Sequence, residues 1–277
     1  MSDLEARVQR LEEQMAKLGG GGPGGTLRTS ALEIMDGQGQ SQAELSMGKS
    51  GAFMMLKDAQ SLPRVVFGIG VEGPMLQLLG SDTKPRLSLS VGANGLPRIS
   101  LSDATGTPRM VLDVDLETLS LRMSDAPGQT RFLVMVGPDG MPCLSMTSAE
   151  GKVRVMLGID EEHSGLRVYD SHEQGRLVAT VDADESPLLG MYDSQQVPRL
   201  KITQMPDESP ALSLCDPTGK SRLMLTAVKG EPNVVLTDAN RQPRAILTAG
   251  QRPALVITDE HGLPIATFPE IQNPEHE

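Results

Sequence analysis

Aspartate and arginine recur along this chain at a fixed distance of six residues, and that spacing is its clearest chemical signature. The aspartate position falls at Asp36, Asp58, Gly80, Asp103, Asp125, Ser148, Asp170, Asp193, Asp216, Asp238 and Asp259. Six residues later stand Gln42, Arg64, Arg86, Arg109, Arg131, Arg154, Arg176, Arg199, Arg222, Arg244 and Ile265. Two chemistries fit such a series. The carboxylate can accept backbone N–H groups two residues on and start a turn, with the guanidinium closing back on it. Alternatively, the charges form a ladder of sites for a polymer such as a polysaccharide. The turn is favoured, because every copy repeats the same pair, as a folding signal does. The pairs assigned to it are Asp58 with Arg64, Asp103 with Arg109, Asp125 with Arg131, Asp170 with Arg176, Asp193 with Arg199, Asp216 with Arg222 and Asp238 with Arg244.

Other reactive groups form no pattern. His163, His172, His261 and His276 share no repeat position, and no ordered metal-ligand spacing surrounds them. No phosphate loop, G-x-S-x-G elbow or H-E-x-x-H is present. Cys143 and Cys215 occupy different places in their repeats, and two cysteines are too few for a disulfide framework, so both are expected as free thiols. The expectation is therefore a non-enzymatic protein without metal or cofactor.

The elements that must position the charged pairs follow from the flanking residues. Successive copies lie 21 to 23 residues apart, a period that signals a repeat architecture. Apolar residues sit four and two positions before each Asp position, as Ile99 and Leu101 or Leu121 and Met123 do. They resume one, three and often five positions after the Arg, as in Val65, Phe67 and Ile69. Spacing of two is the strand period, so each copy is expected to be two short strands. Gly106, Gly128, Gly151 and Gly219 can supply positive φ in the tighter link. Pro63, Pro85, Pro108, Pro198 and Pro243 suit the first position of the next strand. The looser link, such as Gly92–Gly95 or Gly137–Gly140, has ordinary turn composition.

Aromatic residues make up 2% of the 277 residues and Trp is absent, so Leu, Val, Ile and Met must supply a thin core. The 16 Met residues read as core filler, with Met110, Met123, Met146 and Met191 on the inward register. A net charge of −11 argues against nucleic acid and anionic membrane as partners. No apolar stretch reads as a transmembrane helix or signal peptide. Cytoplasmic synthesis is expected, with assembly on a virion or tail, or a leaderless route to a surface.

Residues 1–18 have a helical pattern, with a capping box at Ser2 and Glu5. Leu4, Val8, Leu11, Met15 and Leu18 are spaced as an a/d seam, which predicts a short coiled-coil oligomerisation helix. Residues 19–26 read as a Gly-rich flexible linker, 27–268 as the β-repeat shaft and 269–277 as a polar C-terminal tail.

Pairs such as Leu87 and Leu89 with Ile99 and Leu101, and turns around Gly106, Pro108 and Gly128, resemble the triple β-spiral of viral and phage fibre shafts. The resemblance covers about residues 31–268 and implies a trimeric all-β shaft; the regular Asp and Arg are not part of that family's pattern. A single-chain β-solenoid is the rival. Its rungs would stack Asp and Arg into like-charged columns, which destabilise unless the two columns lie side by side. Val168-Tyr169-Asp170 and Met191-Tyr192-Asp193 also resemble the YD (RHS-type) repeats that build hollow shells, although only these two copies carry Tyr.

These observations predict an all-β repeat protein of about eleven two-strand units. Its expected role is that of an elongated homo-oligomeric fibre or stalk, a spacer, appendage or scaffold. The expected partner is a further copy of itself, with trimer favoured over dimer, and then another structural protein at one end. Nucleic-acid binding and membrane insertion are not expected. The alternatives are a monomeric solenoid that binds a carbohydrate or a protein, and a self-assembling filament subunit.

Overall fold

Apolar residues recurring at every second position produce strands from Ala31 to Phe268 in the computed structural model. The structure describes residues 5–10, 13, 29–160 and 163–269. Residues 5–10 and 13 are helical, with Val8 46% exposed. Leu4, Leu11, Met15 and Leu18 of the expected seam lie outside the described residues.

The chain divides into two compact units. The first carries β1 (Ala31–Met35), β2 (Ser41–Met47), β3 (Ala52–Lys57), β4 (Pro63–Ile69), β5 (Pro74–Leu79), β6 (Pro85–Val91), β7 (Pro97–Ser102) and β8 (Pro108–Val114). The second carries β9 (Leu119–Ser124), β10 (Thr130–Val136), β11 (Pro142–Thr147), β12 (Val153–Ile159), β13 (His163–Tyr169), β14 (Gly175–Asp182) and β15 (Pro187–Tyr192). It continues through β16 (Pro198–Gln204), β17 (Pro210–Cys215), β18 (Ser221–Val228), β19 (Glu231–Thr237), β20 (Pro243–Thr248), β21 (Ala254–Thr258) and β22 (Pro264–Phe268). Within each unit every strand pairs antiparallel with its sequence neighbours, giving an open meander of hairpins.

The register aligns the apolar residues into two continuous columns on one face. In the first unit, one column runs Leu32, Leu45, Met54, Phe67, Leu76, Leu89, Ile99, Leu112. Its neighbour runs Ile34, Ala43, Leu56, Val65, Leu78, Leu87, Leu101, Met110. The second unit repeats the arrangement, with Leu144, Leu157, Leu166, Ala179, Leu189 and Ile202 successive in one column. Cross-strand pairs of this kind are the unit of sheet stabilisation, about 0.2–1 kcal/mol each relative to Ala–Ala. The opposite face is mixed, with pairs such as Ser88–Ser100, Val66–Gln77 and Lys201–Ser213.

No second layer covers either face within a unit's own meander. Among the described residues no large side chain is fully buried, and the buried hydrophobic residues are Val111, Ala211 and Cys215. Column residues such as Phe67, Leu157 and Met191 remain 57%, 50% and 49% exposed.

Candidate functional site

The Asp turn forms from the backbone outward. In the turn at Asp58, the Asp58 N–H donates to Leu62 O at 2.9 Å and Ser61 N–H to Asp58 O at 2.8 Å. The same two bonds recur at Asp36, Asp103, Asp170, Asp193, Asp216, Asp238 and Asp259. The residue three after the Asp position takes positive φ in all eleven copies. Glycine stands there in six copies, but Ser61, Thr83, Glu173, Gln196 and Arg241 adopt the same left-handed conformation. The looser link uses the same geometry in several copies. Gly92 N–H donates to Leu96 O and Gly95 N–H to Gly92 O, and Met205 with Ser209 and Glu208 does likewise.

One feature is confined to the Asp turns. Each Asp turn is followed by a β-bulge, and the extra residue is always the one at the Arg position. Leu56 faces Val65 while Lys57 faces Pro63, so Arg64 has no opposite number. The same shift skips Arg86, Arg109, Arg131, Arg154, Arg176, Arg199, Arg222 and Arg244, as well as Gln42 and Ile265. A bulge bends its strand and raises local twist.

The side chains then close the loop. One carboxylate oxygen of Asp58 accepts the N–H groups of Gln60 and Leu62, at 2.9 and 3.0 Å. The other accepts Arg64 Nε at 2.6 Å. The structure places all seven assigned pairs within ion-pair range. Arg109 reaches Asp103 at 3.2 Å, Arg176 reaches Asp170 at 3.3 Å, Arg199 reaches Asp193 at 3.6 Å and Arg244 reaches Asp238 at 3.7 Å. Arg131–Asp125 and Arg222–Asp216 complete the set.

Three copies that lack one member of the pair compensate. Arg86, after Gly80, takes Asp82 at 2.7 Å. In the copy with Ser148, the Ser148 hydroxyl and nearby Arg131 and Arg154 hold the Glu150 carboxyl below its ordinary value. Gln42 Nε2 donates to Asp36 at 3.1 Å. Opposite charges therefore lie side by side in the seven Asp–Arg turns and at Asp82–Arg86, so that there the two columns neutralise one another.

The carboxyls respond to these donors. The Thr105 hydroxyl, and then the Thr105, Arg109 and Thr107 donors, outweigh desolvation and pull Asp103 down to about 2. Backbone N–H groups of Gln40 and Gln38 lower Asp36, and those of Val197 and Gln195 lower Asp193. At Asp58 desolvation pushes upward, but the Leu62, Gln60 and Arg64 donors together win.

Successive turns on this edge are also stitched together. Arg131 donates to the carbonyls of Ser148 and Ala149, the latter at 3.0 Å. Arg86 reaches Ala104 O at 3.1 Å, Lys84 reaches Thr105 O at 3.0 Å and Lys152 reaches Ser171 O at 3.0 Å. Where Arg86 and Arg131 are engaged by their own turn and by the next, the geometry is that of a structural seam.

The apolar face is the other feature with functional reach. In the second unit it forms a trough of about 910 Å³, whose floor includes Val134, Leu144, Leu157, Ala179, Leu189 and Ile202. Gly165 allows the close strand approach beside it: a Cβ there would lie 2.1 Å from Ala179 O. Among the described residues, no group of three or more His, Cys, Asp or Glu is placed to hold a metal ion, and both cysteines are free. No helix among them is long and apolar enough to cross a membrane.

No protein-family model matches the chain, and no curated protein matches its sequence. Among solved structures, the crystal structures of TcdB2-TccC3 and TcdB2-TccC3-TEV are similar at 12% and 11% identity, with TM-scores of 0.18 and 0.19. The match spans 86% and 87% of this chain but 15% and 18% of those chains. At that score the likeness carries no argument, and what stands for this chain is an all-β antiparallel repeat, with 22 strands among the described residues and an open meander in each unit.

Proposed function

We propose that the protein is a non-enzymatic structural element, a β-repeat stalk or scaffold that works as a homo-oligomer. The observation that carries this is the pair of continuous apolar columns, whose residues stay half-exposed in the single chain. Burying apolar surface contributes about 25 cal/mol per Å², and a contiguous apolar face of this extent marks an interaction surface. A second copy of the same face is the simplest complement, because the columns repeat at the strand spacing on both partners. Three copies are preferred. Three such sheets turned inward form a closed prism, which is the finer form implied by the resemblance to fibre shafts. Residues 1–18 would set stoichiometry and register through the glycine-rich segment 19–26. The outward face and the paired turns would keep the assembly soluble at a net charge of −11.

Sedimentation velocity with light scattering, on the full chain and on a chain starting at Thr26, tests this. A mass near three times 29.6 kDa with a high frictional ratio supports the stalk. Dissociation of the shortened chain assigns register to the helix. A monomer from both chains overturns the proposal, and a mass that climbs with concentration favours the filament.

A further inference from the structure

We propose that the face opposite the apolar columns carries a binding site for a neutral saccharide, centred on Tyr169 and Tyr192. The chain contains two tyrosines and no tryptophan. Both tyrosines line one cavity of about 430 Å³, within the usual range for small-molecule sites. It spans β13, β14 and β15. Arg167 and Tyr169 alternate with the column residues Leu166 and Val168, and Tyr192 follows the column residue Met191, so the cavity lies on the other side of the sheet. An oligomer that buries the columns leaves it open.

One ring position is set by the backbone. Gly190 has no side chain, and the Tyr192 ring fills the place where a Cβ would stand, with ring atoms at 2.7 and 3.1 Å from that point. The ring therefore lies along the strand and offers its outer face. Tyr169 stands across the register from Gly175, its backbone two strands and about 10 Å from that of Tyr192, and its hydroxyl donates to Met156 Sδ at 3.9 Å. That span suits two linked pyranose rings.

The polar rim has the matching chemistry. Arg167 has no hydrogen bond or ion pair among the described residues, and neither has the Tyr192 hydroxyl. Gln196 also lines the cavity and is held by its amide, which donates to Gly175 O at 3.1 Å. Glu173 accepts the Val153 N–H at 3.3 Å with one oxygen. Asp182, which accepts Thr180 Oγ1 at 3.2 Å, completes the lining.

A pyranose presents C–H groups on its faces and hydroxyls on its rim. The electron-rich face of a tyrosine attracts the former. A planar guanidinium or amide can serve two adjacent hydroxyls at once. Mixed charges, with Glu173 and Asp182 beside Arg167, favour a neutral sugar over an acidic one. Each bond made replaces one to water, so a weak, millimolar interaction is expected for a disaccharide.

The test uses the full chain. With no tryptophan present, tyrosine fluorescence reports on this cavity alone. Maltose, cellobiose and chitobiose are titrated separately while emission is followed. At least one is expected to give a saturable change. Tyr192→Ala and Arg167→Ala should each weaken that response about tenfold, read by calorimetry for the tyrosine variant, while Tyr192→Phe stays within about threefold. Circular dichroism and mass should match the parent for every variant. No saturable response to any of the three overturns the proposal. So does binding unchanged in both alanine variants, or saturation by an arginine-rich peptide in place of the sugars.

Discussion

Arg131 is the residue skipped by the strand register after its turn, and its guanidinium closes on Asp125, six residues earlier, with Nε 2.6 Å from Oδ2. It also donates to Ser148 and Ala149 in the next turn on the same edge. One side chain thus fixes a bulge, a turn and the spacing between turns. Arg131→Ala should raise amide exchange in both segments 125–129 and 148–152, and Arg131→Lys should restore only the first, because a single ammonium lacks the fork. Exchange measured by mass spectrometry checks this; unchanged protection at 148–152 in both variants would refute the stitching role.

The aspartates give the fold an acid sensitivity with a defined sign. Asp103 has a folded value of about 2 against the ordinary 3.8. Its depressed pKa contributes stability that is present above the unfolded value and lost as pH falls through the folded one. Asp36, Asp58, Asp170, Asp193 and Asp216 shift in the same direction. The melting midpoint should therefore hold between pH 5 and 8, to a first approximation, and fall between about pH 4 and 2. Asp103→Asn should shallow that fall, because the neutral amide no longer takes up a proton.

Five Asp turns place a side chain where glycine is preferred. Thr83 and Arg241 have φ of 60° and 67°, and the left-handed conformation costs a non-glycine residue about 1–2 kcal/mol. Thr83→Gly and Arg241→Gly should each stabilise the chain by roughly 1 kcal/mol once the greater freedom of the unfolded chain is subtracted. Gly140→Ala should do the reverse, since that position has φ of 77° and nothing within 4 Å of a new Cβ. Urea titration at neutral pH measures all three.

Gly165→Ala tests a different constraint. Its Cβ would sit 2.1 Å from Ala179 O and 2.7 Å from Thr180 Cα, both backbone atoms. β13 and β14 would have to part, and a loss of about 2–3 kcal/mol is expected. A variant as stable as the parent would mean the two strands can separate freely here.

Leu157→Glu asks whether the apolar face joins copies. Leu157 is 50% exposed in the single chain, so the change should leave secondary structure intact while lowering the assembled mass. A mass equal to the parent's would place the interface elsewhere.

Much of this fold was legible in the sequence, for identifiable reasons. Alternation at Ile99 and Leu101 or Leu87 and Leu89 marked the strands, because a half-wet sheet demands it. The Asp-to-Arg distance marked the tight turn. The bulge was encoded too. Leu101 and Met110 are nine residues apart, while the turn closes Asp103 on Thr107, so the two leucine-type positions share a face only with one residue in excess. Local propensity hid the left-handed conformation of Glu173 and Gln196, which only the turn's hydrogen bonds impose. Tyr169 and Tyr192 stood out as repeat landmarks, but that they share a cavity depends on β14 running between them.

The bulge at the Arg position makes the chain a ruler. Every Asp turn carries this bulge and the looser links carry none, so a whole repeat, such as residues 193–215, can be removed and every remaining side chain keeps its face and every Asp turn its edge. Each such step changes the length of the sheet by two strands, about 10 Å. Removing half a repeat would carry the following Asp turns to the opposite edge, away from the carbonyls their arginines bind. The size of the sheet is therefore graduated in whole hairpin pairs.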